Sequence, residues 1–350
     1  LKFSEGLKMD TQGYTKLTGP DVWVGPDIQN DDNWIHCLSN AAILDLDQAL
    51  QKVKKNKLTI PFSREDFPLS VMAGELLEII NNVRHGVGFS IIRGIPRENY
   101  TKEECELIYW GIGMHIGKPI SQNDRGHLLG HVIDEGRDKD DPTARNYQTA
   151  RRMDFHCDLL PVDILGLFCL HQAKSGGTSH LISSMTIHNV LLNERPDLLG
   201  ILYQPFYMDW RGEEPAGEKP WFSIPLFSEK DGYISSRFTS RNYCESCSRF
   251  GEKYQLTDIQ SEALDVVQEI ANRPELRVSM RMEDGDIQLV NNHVTLHARD
   301  AYEEYGESDR QRHLLRMWIG LPDEQRRPLS SAIDDRYALV KGGGILKKLK

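Results

Sequence analysis

Apolar positions recur at helical spacing early in the chain and at strand spacing later. Over residues 71–84, Leu76, Leu77, Ile80 and Val83 form an amphipathic helical pattern that Gly86 is placed to end. The β-branched run Phe89-Ser-Ile-Ile-Arg93 predicts a strand, closed by the glycine and proline at 94 and 96. Thr101-Lys-Glu-Glu104 has the form of a capping box, so a helix carrying Leu107, Ile108 and Ile112 should run to about Gly117. Residues 162–170 are short and strongly apolar, as a core strand requires, and a helical stretch follows around 186–193. Thr257-Asp-Ile-Gln260 caps a further helix that Pro274 must stop.

Beyond that proline the period changes. Leu276, Val278, Met280 and Met282 alternate, Asp284-Gly285 makes a turn, and residues 287–290 and 312–319 predict two more strands. Helices early and strands around and after the middle give an α+β class rather than a regular βαβ alternation. The expected organisation is an N-terminal extension over residues 1–70, one main domain over 71–325 and a C-terminal tail over 326–350, its glycine-rich end loose.

Composition narrows the function classes. The 350 residues, 39% of them hydrophobic, can bury a sizeable core. With 52 acidic against 42 basic side chains, the formal charge of -10 disfavours a phosphate backbone as partner. No apolar run reaches the roughly 20 residues that span a bilayer, and residues 1–30 carry no signal-peptide core. The expectation is a cytoplasmic protein acting on a small molecule, without nucleic acid or membrane partners; a homodimer stays open. The six cysteines are scattered, and the pair Cys244 and Cys247 has no second ligand pair to complete a zinc site, so free thiols are expected.

The chemistry-bearing residues lie in the middle and the last third. Phe155-His156-Cys157-Asp158 places a His and an Asp two apart, so on an extended strand both point to one side and can reach one ion. A non-haem iron site needs two imidazoles and one carboxylate on one face of the metal. A His-x-Asp arises by accident in roughly half of chains with this many histidines, so the pair alone decides little. A distal His in a β-rich segment adds weight: His297, with His293 as the competing candidate. In the strand that follows, Arg312, Leu314, Arg316 and Trp318 share one face and His313, Leu315, Met317 and Ile319 the other. Two guanidinium groups on a half-apolar strand should each meet an anion, their Cα atoms roughly 13 Å apart at strand rise. Either two ligand anions or a structural salt bridge, for instance to Asp286, would satisfy them.

Taken together these residues resemble the taurine and 2,4-dichlorophenoxyacetate dioxygenase (TauD/TfdA) family of Fe(II)/2-oxoglutarate-dependent oxygenases, which are clavaminate-synthase-like. The likeness runs from about Gly86 to Pro322, through Gly88-Phe-Ser-Ile-Ile-Arg-Gly-Ile-Pro96, Trp110-Gly-Ile-Gly113, Gly117-Lys-Pro119, Leu170-His-Gln-Ala-Lys-Ser-Gly-Gly177, Asn292 and Arg312-His-Leu-Leu-Arg-Met-Trp318. The resemblance implies a double-stranded β-helix, or jelly-roll, core with flanking helices. It implies iron(II) held by His156, Asp158 and His297, with 2-oxoglutarate and O2 as co-substrates. Arg312 matches the arginine that binds the far carboxylate of 2-oxoglutarate, and Ser179, or else Thr178, matches a hydroxyl contact to it. Arg316 matches an arginine of the substrate pocket, for which Gln122, Asn123, Tyr147, Trp210 and Arg211 are further candidates. The implied reaction is hydroxylation, or desaturation or cyclisation, at an unactivated C–H of a small carboxylate-bearing molecule, with succinate and CO2 as co-products.

Departures matter too. Asn291-Asn-His293 stands where the family has Asp-Asn-Arg, and Lys118 stands near the position of the family's sulfonate-gripping His, which speaks against taurine. Asp158 is retained where related halogenases carry a small residue. The rivals are a metal-binding jelly-roll without turnover and a hydrolase, the latter disfavoured because neither Gly-x-Ser-x-Gly nor His-Glu-x-x-His occurs.

Overall fold

The computed structural model describes residues 13–136, 149–159, 161–307 and 310–348. In chain order the strands are β1 (Ile35–Cys37), β2 (Phe89–Arg93), β3 (Lys118–Ile120), β4 (Leu129–Val132), β5 (Met153–His156), β6 (Ile164–His171), β7 (Ser175–Gly176) and β8 (Ser179–Ser183). They continue as β9 (Pro205–Asp209), β10 (Trp221–Pro225), β11 (Phe227–Lys230), β12 (Tyr233–Ser236), β13 (Val278–Met280), β14 (Ile287–Asn291), β15 (Thr295–Arg299), β16 (Tyr302–Glu303) and β17 (His313–Gly320).

Two sheets dominate. The larger has the order β1-β2-β14-β6-β17-β3, with β4 also paired to β17, and the smaller has the order β13-β8-β15-β5. Strands distant in sequence are neighbours in both, which is how residues from the middle and the end of the chain come together. The period-2 pattern of β17 is realised: Leu315, Met317 and Ile319 face outward into one core with Ile164, Phe168, Ile287 and Leu289, whereas Trp318 faces inward with Leu165 and Val290. Leu181 and Val278 of the smaller sheet share that inner cluster, so the two sheets face each other across it.

The outer face of the larger sheet is covered by the helices Asn40–Lys55, Val71–His85 and Lys102–Ile116. The last begins at the expected capping box, Thr101 and Glu104 exchanging bonds with each other's backbone N–H. It lies close against the sheet because Gly113 has no side chain: a Cβ there would meet Met317 Sδ at 2.2 Å. The smaller sheet packs its outward Phe155, Ile182, Leu296 and Ala298 against the helices Ser184–Glu194, Pro196–Leu202 and Asp258–Ala271. No helix among the described residues is long and apolar enough to cross a membrane.

The C-terminal segment corrects one expectation. Residues 331–339 form the helix Ser331–Leu339, which buries Ile333 and Tyr337 in the core beneath the smaller sheet. The glycine-rich end is not loose: Gly344 N–H donates to Pro161 O at 2.9 Å, Ile345 N–H to Ser121 O at 2.9 Å, and the Ile345 side chain is buried beside Trp318 and Ile120. A single apolar side chain with two backbone bonds anchors what composition alone reads as a linker.

Candidate active site

The pairing of β15 with β5 sets His297 directly opposite His156. Asp158 follows just past the end of β5. Its Oδ1 lies 3.8 Å from His156 Nε2 and 3.7 Å from His297 Nε2, and one donor atom from each of the three lies within 4.8 Å of the others. Among the described residues no other group of three or more His, Cys, Asp or Glu converges in this way. Donors bound about 2.1 Å from one ion at right angles sit roughly 3 Å apart, so the carboxylate oxygen needs to close on each imidazole by less than about 1 Å for a shared metal.

The donor chemistry fits iron(II). His156 Nδ1 lies 2.8 Å from Asp154 O, which fixes the proton on that nitrogen and leaves Nε2 as the donor facing Asp158. Burial, with His156 alongside, lowers the His297 pKa to about 3, so this imidazole is neutral and ready to coordinate. Burial pushes the Asp158 carboxyl upward, but Arg316, the two imidazoles and a hydrogen bond from Trp318 outweigh it and hold the pKa below the ordinary value. Two imidazoles and one carboxylate, with no fourth protein donor among the described residues, are the set that suits non-haem iron(II).

A tight shell orients Asp158. Trp318 Nε1 donates to Oδ2, and Arg316 Nη1 lies 3.5 Å from the same oxygen. Gln122 holds Arg316 in turn: Arg316 Nε donates to Gln122 Oε1 at 2.7 Å, and Gln122 Nε2 donates to Arg316 O at 2.8 Å. The Asn292 amide clamps the backbone, accepting from Asp158 N–H at 2.8 Å and donating to Asp158 O at 3.0 Å and Val162 O at 3.2 Å. His293 is not among the converging donors; it is buried against Asp163 and Arg237, at 2.8 and 2.6 Å.

A second polar region lies at the other end of the same interior. Arg312 is buried, and its guanidinium lies 5.0 Å from the centre of the Tyr302 ring. Its backbone N–H donates to Glu304 Oε2 at 2.8 Å, and its Nη1 has no partner. Burial depresses its pKa. The turn at Gly176 and Gly177, both at positive φ, packs against it, since a Cβ on Gly177 would lie 3.5 Å from Arg312 Nε. Ser179 is buried on β8 directly opposite Arg299, on the sheet face that carries His297, whereas Thr178 is half-exposed and its carbonyl accepts from Asp300 N–H. Leu314, Val132, Cys169 and Met282 add an apolar wall. Asp286, a potential salt-bridge partner for the β17 arginines, is instead held by Arg93 at 2.7 and 3.0 Å.

The remaining sequence candidates scatter. Gln122 is buried and spends its amide on Arg316 and on Leu128 O. Asn123 stabilises its own turn, accepting from the N–H groups of Arg125 and His127. Trp210 is buried with its ring centre 4.4 Å from that of Phe222, its Nε1 unpartnered. Arg211 stands at positive φ and lies over the Tyr243 ring at 5.4 Å, and Tyr147 lies outside the described residues. Cys244 and Cys247 are buried free thiols pushed up to about 12 by burial, which removes them from thiolate chemistry at neutral pH. Sequence reasoning passed over Trp318 as a partner of Asp158, and Arg299, although the period-2 rule puts each on a face already assigned to the site.

Comparison with known proteins agrees with this geometry. Residues 54–318 match the family model described as taurine catabolism dioxygenase TauD, TfdA family. The chain is 37% identical over 320 residues to FR-33289 synthase of Streptomyces rubellomurinus (strain ATCC 31215), covering 90% of this chain and 93% of that protein. It is 29% identical over 319 residues to a taurine hydroxylase-like protein of Stachybotrys chartarum (strain CBS 109288 / IBT 7711), covering 88% and 80%. Among solved structures, asparagine oxygenase in complex with Fe(II), 2S,3S-3-hydroxyasparagine and succinate superposes with a TM-score of 0.60 at 14% identity, covering 82% of this chain and 93% of that one. The non-heme iron oxygenase OrfP with Fe, succinate and (3S)-hydroxy-L-Arg gives 0.59 at 14%, covering 85% and 98%. The chain therefore belongs to the TauD/TfdA dioxygenase family. It is an oxidoreductase that uses Fe(II), 2-oxoglutarate and O2.

Proposed function

We propose that the two facing sheets form a double-stranded β-helix and that His156, Asp158 and His297 hold iron(II) inside it, where the protein hydroxylates an unactivated C–H of a small molecule. The observation that carries this reading is the convergence of these three buried donors, two of them directly opposite each other on β5 and β15. The solved neighbours with bound iron, succinate and hydroxylated amino acids support the same assignment.

Iron(II) held by His156, Asp158 and His297 would supply the redox chemistry that joins use of O2 to decarboxylation of 2-oxoglutarate to succinate and CO2. The chain's own groups do the rest. Arg312 holds the far carboxylate of 2-oxoglutarate, with the Ser179 hydroxyl on the face that can join it; Thr178, half-exposed, is the second choice. Trp318 and Arg316 fix the Asp158 carboxylate through Oδ2, leaving Oδ1 for the metal, and Gln122 fixes Arg316. Leu165, Leu181 and Val290 pack with Trp318 in the apolar cluster between the two sheets. The expectation of an anionic substrate rested on Arg316. Because its guanidinium already serves Asp158 and Gln122, a substrate anion there would share it. Substrate contacts at Asn123, Trp210 and Arg211 remain proposals of the sequence.

The test is succinate formation from 2-oxoglutarate by purified protein with iron(II), ascorbate and air, followed by a screen of amino acids and small carboxylic acids for faster release. Slow succinate formation without substrate, stimulated by at least one compound, is expected. Protein that retains iron but neither binds 2-oxoglutarate nor releases succinate would establish the non-catalytic rival.

A further inference from the structure

Arg299 sits two residues beyond His297 on β15, on the same face of that strand and directly opposite Ser179 of β8. It is 6% exposed. Its Nη2 donates to Thr149 O at 2.9 Å and to Arg151 O, which ties down the segment leading into β5. Its Nε and Nη1 have no partner, and neither does Nη1 of Arg312. Both guanidinium groups lie against one ring, Tyr302, at 4.6 Å for Arg299 and 5.0 Å for Arg312. Among the described residues, no salt bridge reaches either of them.

Two buried cations lie beside one ring, and among the described residues no carboxylate bonds either guanidinium; Asp134 and Glu304 act on Arg299, and Glu304 on Arg312, only through space. A strap on two carbonyls would use one nitrogen of a guanidinium and would be served as well by a neutral amide; it does not explain a second full charge next to Arg312. Glu304 directs one oxygen to the Arg312 backbone and leaves the other unpartnered, so it attracts both guanidinium groups through space but bonds neither. An anion entering from the interior would bond them.

We infer that Arg299 is a second cation of the co-substrate pocket, acting with Arg312 on the far carboxylate of 2-oxoglutarate and making the pocket selective for a dicarboxylic over a monocarboxylic 2-oxo acid. This rests on the placement of 2-oxoglutarate at Arg312 given above. A monocarboxylic 2-oxo acid offers the same head to the metal but leaves the free nitrogens of both guanidinium groups without a bonded anion, and buried polar groups left unpaired are what reject a near-analogue.

The test is calorimetric binding of 2-oxoglutarate and of 2-oxobutanoate to the iron(II)-loaded protein without oxygen. In Arg299→Met, 2-oxoglutarate should weaken at least tenfold while 2-oxobutanoate moves less than threefold, and Arg299→Lys should fall between wild type and Met. Weakening of both acids by the same factor, or of neither, reduces Arg299 to a strap and overturns the inference. Arg312→Met separates this from the reading beneath it: if that variant keeps the preference for 2-oxoglutarate, the pocket itself is misplaced, whereas loss there with an unchanged ratio in Arg299→Met sinks only the role of Arg299. Should Arg299→Met not fold, Arg299→Lys decides, a selective loss of threefold or more being expected and an unchanged ratio contradicting it.

Discussion

At the scale of single residues, a second tier of side chains surrounds the three converging donors His156, Asp158 and His297. Trp318 gives Asp158 Oδ2 its hydrogen bond, so Trp318→Phe, which keeps the ring and removes the N–H, should lower metal affinity or turnover about 10–100-fold. Iron titration with steady-state succinate release would show it, and a wild-type response would mean the indole is only packing. The His-x-Asp pair at His156 and Asp158 and the two arginines of the 312–319 strand stood out by residue type and spacing, whereas the choice of His297 and the role of Arg312 came from the family resemblance. Trp318 and Arg299 could not be given roles in the same way: alternation fixes a face, but which neighbour a side chain meets depends on the strand opposite. Gln122 shows the same limit, since an amide near a motif reads as a substrate contact until its partners, Arg316 and Leu128, are known.

At the scale of elements, a strand end and a turn shape the two halves of the site. Asn292 links the turn after β14 to the backbone at Asp158 and Val162, so Asn292→Ala should cost about 2–4 kcal/mol of stability and loosen the metal site with it. Chemical denaturation with and without iron(II) would test both parts, and a loss below about 0.5 kcal/mol would show the clamp to be dispensable. The turn before β8 offers a contrast. Gly176 is at φ 71°, and a Cβ there would lie 2.3 Å from Ala301 O, whereas a Cβ on Gly177 meets only ordinary contacts. Gly176→Ala should therefore destabilise by more than the roughly 1–2 kcal/mol expected for left-handed backbone alone, and Gly177→Ala by about that amount. Equal melting shifts would contradict the distinction. The helices over 71–84 and 101–117 and the strands over 89–93, 162–170, 287–290 and 312–319 were legible because capping boxes and period changes are local signals, whereas the helices Asn40–Lys55 and Ser331–Leu339 and the strands β9 to β12 were not picked out. The order of strands across the two sheets was not legible either, since it depends on pairings such as β15 with β5 and β17 with β6, between residues more than 100 positions apart.

At the scale of the whole molecule, the tail and the core are joined by a buried charge. Asp163 accepts from Tyr337 Oη at 2.7 Å, Leu321 N–H at 2.8 Å and Arg326 Nε at 3.0 Å, and pairs with His293. Asp163→Asn should cost about 3–5 kcal/mol, because it breaks a buried ion pair from one side. The histidines add a pH dependence. Burial lowers the pKa of His188 to about 4 and those of His293 and His313 to about 3. In the unfolded chain these groups take protons below about pH 6.5, and in the folded protein they do not until pH 3–4. Their contribution is therefore complete above pH 6.5 and is lost as pH falls, by up to about 1.4 kcal/mol per pH unit for each. Melting curves between pH 7.5 and 4.5 should show a steep fall below pH 6.5; a flat profile would mean that these rings are protonated in the folded state. The central claim is tested most directly by anaerobic calorimetric titration of the metal-free protein with iron(II), wild type beside Asp158→Ala. One iron per chain for the wild type and none for the variant, at matched folding, is the expected result, and equal iron binding by the two would contradict the assignment of His156, Asp158 and His297 as the metal centre.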